Sequence, residues 1–250
     1  QDWAQKSGPV ATPTPPDPSM QFFLDETSAV GGFPQGSLFV HHGDWECWFV
    51  FLSGSFGFWE RKLNEGTFRE GNDGARVAQL STDTGLEDVI QGGGADKLEA
   101  RVEDFLRCNP KPDLLVIRSY CVPNIIGDDV EKVLERLRRK HGFAVATATA
   151  RNHEITILKS CITQAFSSPR FLQAVPDPKK VNLLGFPSGR LRAEMAGLLA
   201  TMGIEVGQCL LPGWNYSGLE KLPESGLQIL SPRADYADVF VELSKGQGLK

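Results

Sequence analysis

Short unbroken apolar runs and longer segments of helical periodicity take turns along most of the chain. PDLLVIRSYC (112–121) is the clearest run: Pro112 opens it, and Leu114, Leu115, Val116 and Ile117 fill it without a polar break. A run with no alternation predicts a strand of a parallel sheet, buried on both faces. SLFVHH (37–42), RVAQLS (76–81) and FAVATATA (143–150) read as further strands. WFVFLSGSFGFW (48–59) is aromatic and fits strand or helix, and TGLEDVI (84–90) reads as a weak strand before the turn QGGG (91–94). In ADKLEARVEDFLRC (95–108), Leu98, Val102, Phe105 and Leu106 fall at helical spacing. DDVEKVLERLRRKHG (128–142) predicts a helix that Asp128 or Asp129 can cap, with basic residues crowding its end and Gly142 stopping it.

The rhythm restarts after PDPKK (176–180), which reads as a domain boundary. VNLLGF (181–186), EVGQCLL (205–211) and LQILS (227–231) read as strands. GRLRAEMAGLLATMG (189–203), NYSGLEKLPES (215–225) and RADYADVFVELSKG (233–246) read as helices. Alternation of this kind predicts an α/β fold of Rossmann-like parallel sheets flanked by helices, built from right-handed βαβ units. The expected organisation is a proline-rich extended arm over 1–19, a first α/β domain over 20–176 and a second over 177–250. Three strands are few for a doubly wound domain, so the second reads as incomplete.

Composition narrows the function classes. The chain has 250 residues, is 41% hydrophobic and 23% charged, and carries a net charge of -5. A mildly acidic surface argues against nucleic acid or an anionic membrane as the main partner. No apolar run approaches the roughly 18 residues that span a bilayer. The first twenty residues lack a basic segment followed by a hydrophobic one, so a cytoplasmic protein with reduced thiols is expected. The glycines of GGFPQG (31–36) and QGGGADK (91–97) match neither the dinucleotide-binding nor the P-loop pattern. No hydrolase or zinc-protease motif surrounds His41, His42, His141 or His153. His41 and His42 are neighbours in a strand, so their side chains point to opposite faces. One is expected to be buried with a partner and the other solvated.

The five cysteines (Cys47, Cys108, Cys121, Cys161 and Cys209) form no CxxC pair. Read from its own surroundings, each is a small buried hydrophobe. Cys121 stands apart because it closes the best strand, and α/β sheets gather ligands outside the carboxyl ends of their strands. Cys47 follows SLFVHH across a short turn, so both cysteines can meet a common ligand at one sheet edge. Thiolates bind iron–sulfur clusters even when far apart in sequence. Cys108, Cys161 and Cys209 are expected to be structural or incidental.

Several segments carry a resemblance. HHGDWEC (41–47) resembles the HGPxGC element of nitrogenase component-1 subunits, and 82–107 resembles their TE-x-D-x-VFGG…L element. RSYCVPNIIGDDVEKVLERL (118–137) resembles STC…IGDD, and VNLLGF with the following helix and GIEV resembles the opening of their second domain. The order agrees from about residue 27 to 241, and the chain is identified on these motifs as a member of the nitrogenase component-1-like superfamily. The resemblance implies an oxidoreductase subunit with an iron–sulfur cluster (4Fe-4S or P-cluster-like) shared with a homologous component-1 subunit. It implies electrons delivered by a separate ATP-dependent iron–sulfur reductase to a bound substrate or metallocofactor, and a third domain beyond residue 250.

Cys47 and Cys121 match the second and third ligand cysteines of that pattern. Thr27 stands where the first is expected, and Glu46 replaces the usual glycine before Cys47. These departures argue against an orthodox molybdenum nitrogenase subunit. No residue is assigned as general acid or base. A cofactor-assembly scaffold and a cluster-free α/β binding or structural module are the alternative readings.

Overall fold

The computed structural model describes residues 34–44, 68–70, 76–149, 154–186, 189–211, 213–232 and 236–245. The proline-rich arm, Thr27, Glu46, Cys47, the aromatic segment 48–59 and His153 lie outside them.

The first sheet has five strands: β1 (Ser37–His42), β2 (Phe68–Glu70), β3 (Arg76–Ser81), β4 (Leu114–Ser119) and β5 (Ala144–Thr149). Their order is β2-β3-β1-β4-β5. All pairs are parallel except the edge pair β2–β3. The strands predicted around 37–42, 76–81, 112–121 and 143–150 are present, while β2, three residues on an edge, has no counterpart in the hydrophobic pattern. Alternate residues of the central strands feed two separate cores. Leu38, Val40, Leu115 and Ile117 face α2 (Gly94–Cys108) and α4 (Val130–His141). Phe39, Leu114 and Val116 face α5 (Glu154–Phe166) through Ile157, Leu158, Cys161 and Ile162. Helices on both faces explain why the central strands are continuously apolar.

Asp129 caps α4 by accepting a hydrogen bond from the Lys132 amide, and Gly142 ends it at φ +67°. Ion pairs Lys140–Glu103 at 2.8 Å and Arg136–Glu99 join α4 to α2 across their outer faces. The open edge of β5 is shielded by Gln164, whose side-chain nitrogen donates to the Val145 carbonyl at 2.6 Å and whose oxygen accepts from the Val145 amide at 3.3 Å. An amide side chain thus stands in for a neighbouring strand, a common way to blunt an edge.

Two expectations fail near the carboxyl edge. TGLEDVI is not a strand: α1 (Leu86–Gln91) forms there, with Asp88 accepting from the Gly85 amide at 2.8 Å and Gly92 ending it at φ +66°. The strand predicted over 112–121 stops at Ser119, and Cys121 opens a new helix, α3 (Cys121–Ile126). Pro123 sits in the first turn of α3, where a missing N–H costs no helix hydrogen bond.

The second sheet is parallel, in the order β7-β6-β8, from β6 (Asp177–Leu184), β7 (Glu205–Leu210) and β8 (Ser225–Leu230). α6 (Pro169–Gln173) precedes it, and α7 (Arg190–Thr201), α8 (Tyr216–Glu220), a 3-10 turn (Leu222–Glu224) and α9 (Ala237–Leu243) complete it. One core runs between the sheets, because α5 also packs against Leu184, Leu210, Trp214, Leu219 and Val239. Among the described residues no helix is long and apolar enough to cross a membrane.

Candidate functional site

Strand order decides where a site can form. The chain leaves β1 for β3 on one side, then passes back over β1 to reach β4 on the other. The crevice of such a sheet opens where the order reverses, outside the carboxyl ends of the two strands, here β1 and β4. β1 ends there in His41-His42, and β4 in Ser119 followed by Tyr120 and Cys121.

Both histidines are buried, His41 at 1% exposure and His42 at 0%, so neither is solvated as the strand alternation suggested. Each instead has found partners on its own face. His41 Nδ1 is hydrogen-bonded to the Tyr120 hydroxyl at 2.8 Å and its Nε2 to Gln79 Oε1 at 3.1 Å. His42 Nδ1 is 3.1 Å from Thr82 Oγ1, and its Nε2 is 3.1 Å from Asp128 Oδ2. Thr82 Oγ1 also accepts the Gly43 amide at 3.1 Å and meets Thr84 Oγ1 at 2.9 Å. Burial is the largest influence on His42 and holds its pKa below the usual 6.5, although the Asp128 carboxylate pulls the other way. The ring is therefore neutral near pH 7, donating from Nε2 to Asp128 and accepting the Thr82 hydroxyl at Nδ1.

Asp128 and Asp129 have divided the work that the sequence left open: Asp129 caps α4, and Asp128 turns inward to His42. The Asp128 carboxylate also lies against the start of α2, where a Cβ on Gly94 would come within 2.1 Å of Oδ2. Only glycine leaves room there. Gly43 has the same role beside Tyr120, whose Cβ would be 2.9 Å from a Cβ at position 43.

Cys121 is exposed, at the carboxyl edge expected for it, on the first residue of α3 rather than in β4. Its proposed companion Cys47 lies outside the described residues. Among the described residues no three His, Cys, Asp or Glu side chains are grouped to hold a metal. Of the remaining cysteines, Cys161 is buried in α5, and its thiol is pushed up to about 12 by burial. Cys209 is half-buried in β7. Cys108, expected to be a buried hydrophobe, is exposed at the end of α2.

Residues 36–244 match the family of nitrogenase component 1 type oxidoreductases. The chain belongs to that family. It is 22% identical over 179 residues to a subunit of the light-independent protochlorophyllide reductase of Anthoceros angustus, covering 64% of this chain and 34% of that protein. It is 28% identical over 94 residues to the nitrogenase molybdenum-iron protein alpha chain of Methanosarcina barkeri, covering 38% of this chain and 17% of that one. A solved nitrogenase Cp1 at pH 6.5 superposes with a TM-score of 0.56 at 17% identity, over 82% of this chain and 39% of the other. That likeness carries the fold. The chain spans about a third or less of the length of these curated relatives, both of which are subunits of oxidoreductases.

Proposed function

We propose that the chain is a subunit of a nitrogenase-like oxidoreductase that contributes Cys47 and Cys121 to an iron–sulfur cluster at an interface with a homologous component-1 subunit. The observation that carries this reading is Cys121: an exposed free thiol beside the β1/β4 switch point. An exposed thiol at such a crevice is suited to iron in a way that the buried Cys161 is not. The donor set fits a half-site. Cys121 is one ligand at this edge, Cys47 is the second, Thr27 offers no sulfur at the remaining position, and the partner supplies the rest.

The same edge carries an apolar surface that calls for a cover. Leu86, Ile90, Ile125 and Ile126, on α1 and α3, are large apolar residues exposed there. A partner seated on them excludes water from Cys121. Burial and hydrogen bonding around the thiolates then set the potential. When bound, an iron–sulfur cluster supplies one-electron transfer. In this reading an ATP-dependent iron–sulfur reductase docks over the edge and the electrons pass to a substrate or metallocofactor within a cytoplasmic hetero-oligomer.

The test is iron and acid-labile sulfide content of the chain purified without oxygen together with its homologous partner. Cys47→Ser and Cys121→Ser are expected to lower cluster content at least about 10-fold, the lower end for disturbing a metal site. Cys108→Ser and Cys209→Ser leave it unchanged. Wild-type iron in both Cys47→Ser and Cys121→Ser would overturn the ligand assignment, and a wild-type complex without iron and sulfide would favour a cluster-free module. Iron retained by the wild type without turnover in the presence of reductase and ATP would leave a scaffold.

A further inference from the structure

Buried polar residues at the end of an apolar strand need a reason. Leu38, Phe39 and Val40 continue directly into His41 and His42, and all five are at most 1% exposed. Burying an imidazole is unfavourable unless its nitrogens are hydrogen-bonded. Both rings are satisfied, and one partner of each lies in the same short segment, 120–128. His41 holds the Tyr120 hydroxyl and His42 holds the Asp128 carboxylate. The main chain adds a third tie, since the Tyr120 amide donates to the His42 carbonyl at 3.0 Å. Within the segment, the Asp128 amide donates to the Pro123 carbonyl at 3.0 Å and closes α3. Cys121 therefore rides on a segment gripped before and after by two adjacent residues of β1.

We propose that His41 and His42 are positioning residues for Cys121, acting from opposite faces of β1 on Tyr120 and Asp128. The remaining contacts support the same geometry. Gly43 lets Tyr120 close onto β1, and Gly94 lets Asp128 press against the start of α2. Thr82 occupies the second nitrogen of His42 and so fixes which nitrogen faces Asp128. A fixed sulfur direction matters for a ligand, because metal sites lose affinity when the groups orienting their ligands are removed.

This inference rests on Cys121 being a cluster ligand, but the segment can be read in the metal-free chain. Peptide 119–132, bounded by Arg118 and Lys132, contains Cys121 and no other cysteine. Its alkylation rate and the amide exchange of 121–128 can therefore be followed by mass spectrometry. Asp128→Ala removes the tether, and exchange at 121–128 is expected to rise on the order of tenfold or more, the scale of losing a hydrogen bond to a charged group. Alkylation of Cys121 changes in parallel, while β6 to β8 exchange as in wild type. Asp128→Asn keeps an oxygen that accepts from His42 Nε2 and is expected to stay near wild type in both readouts. Tyr120→Phe loosens the other end, with a smaller rise. In the cluster-loaded complex Asp128→Ala shifts the electron paramagnetic resonance spectrum and Asp128→Asn does not.

Wild-type exchange and alkylation in Asp128→Ala would overturn the proposal. So would equal acceleration across both sheets in Asp128→Ala and Asp128→Asn alike, since the pair would then be a general stabiliser. Failure of the ligand reading looks different: Cys121→Ser keeps its iron while the tether effect in peptide 119–132 persists.

Discussion

The two sheets are built from similar apolar runs yet meet water differently. In the first, β1 is buried along its whole length, and beyond Ser37 at its start the buried polar groups gather at the carboxyl edge, where His41, His42, Thr82 and Thr84 are all at most 2% exposed. In the second, β6 is exposed over its first half, and α7 has no buried residue at all. Leu191, Leu198 and Met202 on and just beyond α7, with Leu227 and Leu230 on β8, are exposed to between 45% and 70%. A hydrophobic run thus reports a strand but not its layers. The first sheet is covered on both faces and can hold polar chemistry in a fixed geometry. The second is covered mainly where α5, α8 and α9 meet it.

The largest contrast should appear in stability. Ile117→Ala or Leu115→Ala, each at 0% exposure, should cost about 2–5 kcal/mol in urea unfolding, the range for emptying a packed core site. Leu198→Ala, exposed on α7, should stay within about 0.5 kcal/mol of wild type. Similar losses at both places would mean that α7 is packed in solution and would erase the distinction between the sheets.

A smaller effect should separate the sheets by pH. The folded-state pKa of His42 is depressed by burial below its ordinary 6.5. As pH falls, the unfolded chain takes up this proton before the folded one does. The contribution of His42 is therefore fully present above about pH 6.5 and is lost as pH drops through the lower folded value. Unfolding free energy measured between pH 8 and 5 should be flat and then decline, and His42→Gln should flatten the decline. An unchanged slope in His42→Gln would place the sensitive group elsewhere.

Much of the first sheet was legible because nothing competes with an unbroken run such as Leu114–Ile117 in a chain of alternating strands and helices. What was illegible has local reasons. Val89 and Ile90 favour strands, yet Gly85 and Gly92 bracket a helical turn around them. The segment EITILKSCITQAF is rich in β-branched residues, and α5 forms there because its apolar face is shared by both sheets. Cys121 lies at the carboxyl edge but on a helix rather than on the strand, and Pro123 in the first turn is the local sign of that helix. The His42–Asp128 pair joins residues 86 positions apart. No spacing rule reaches that far, and two consecutive aspartates gave no sign of which would turn inward. The motifs HHGDWEC and IGDD carry the family resemblance, and the structure brings their His42 and Asp128 together.

Everything proposed for the function turns on Cys121 binding iron from the carboxyl edge of the first sheet. An anomalous-scattering map at the iron edge, from the oxygen-free complex with its homologous partner, tests this most directly. The expected map shows iron bonded to the sulfurs of Cys121 and Cys47, with Leu86, Ile90 and Ile125 covered by the partner. Iron at another site, or a complex in which the Cys121 sulfur has no iron neighbour, would contradict it.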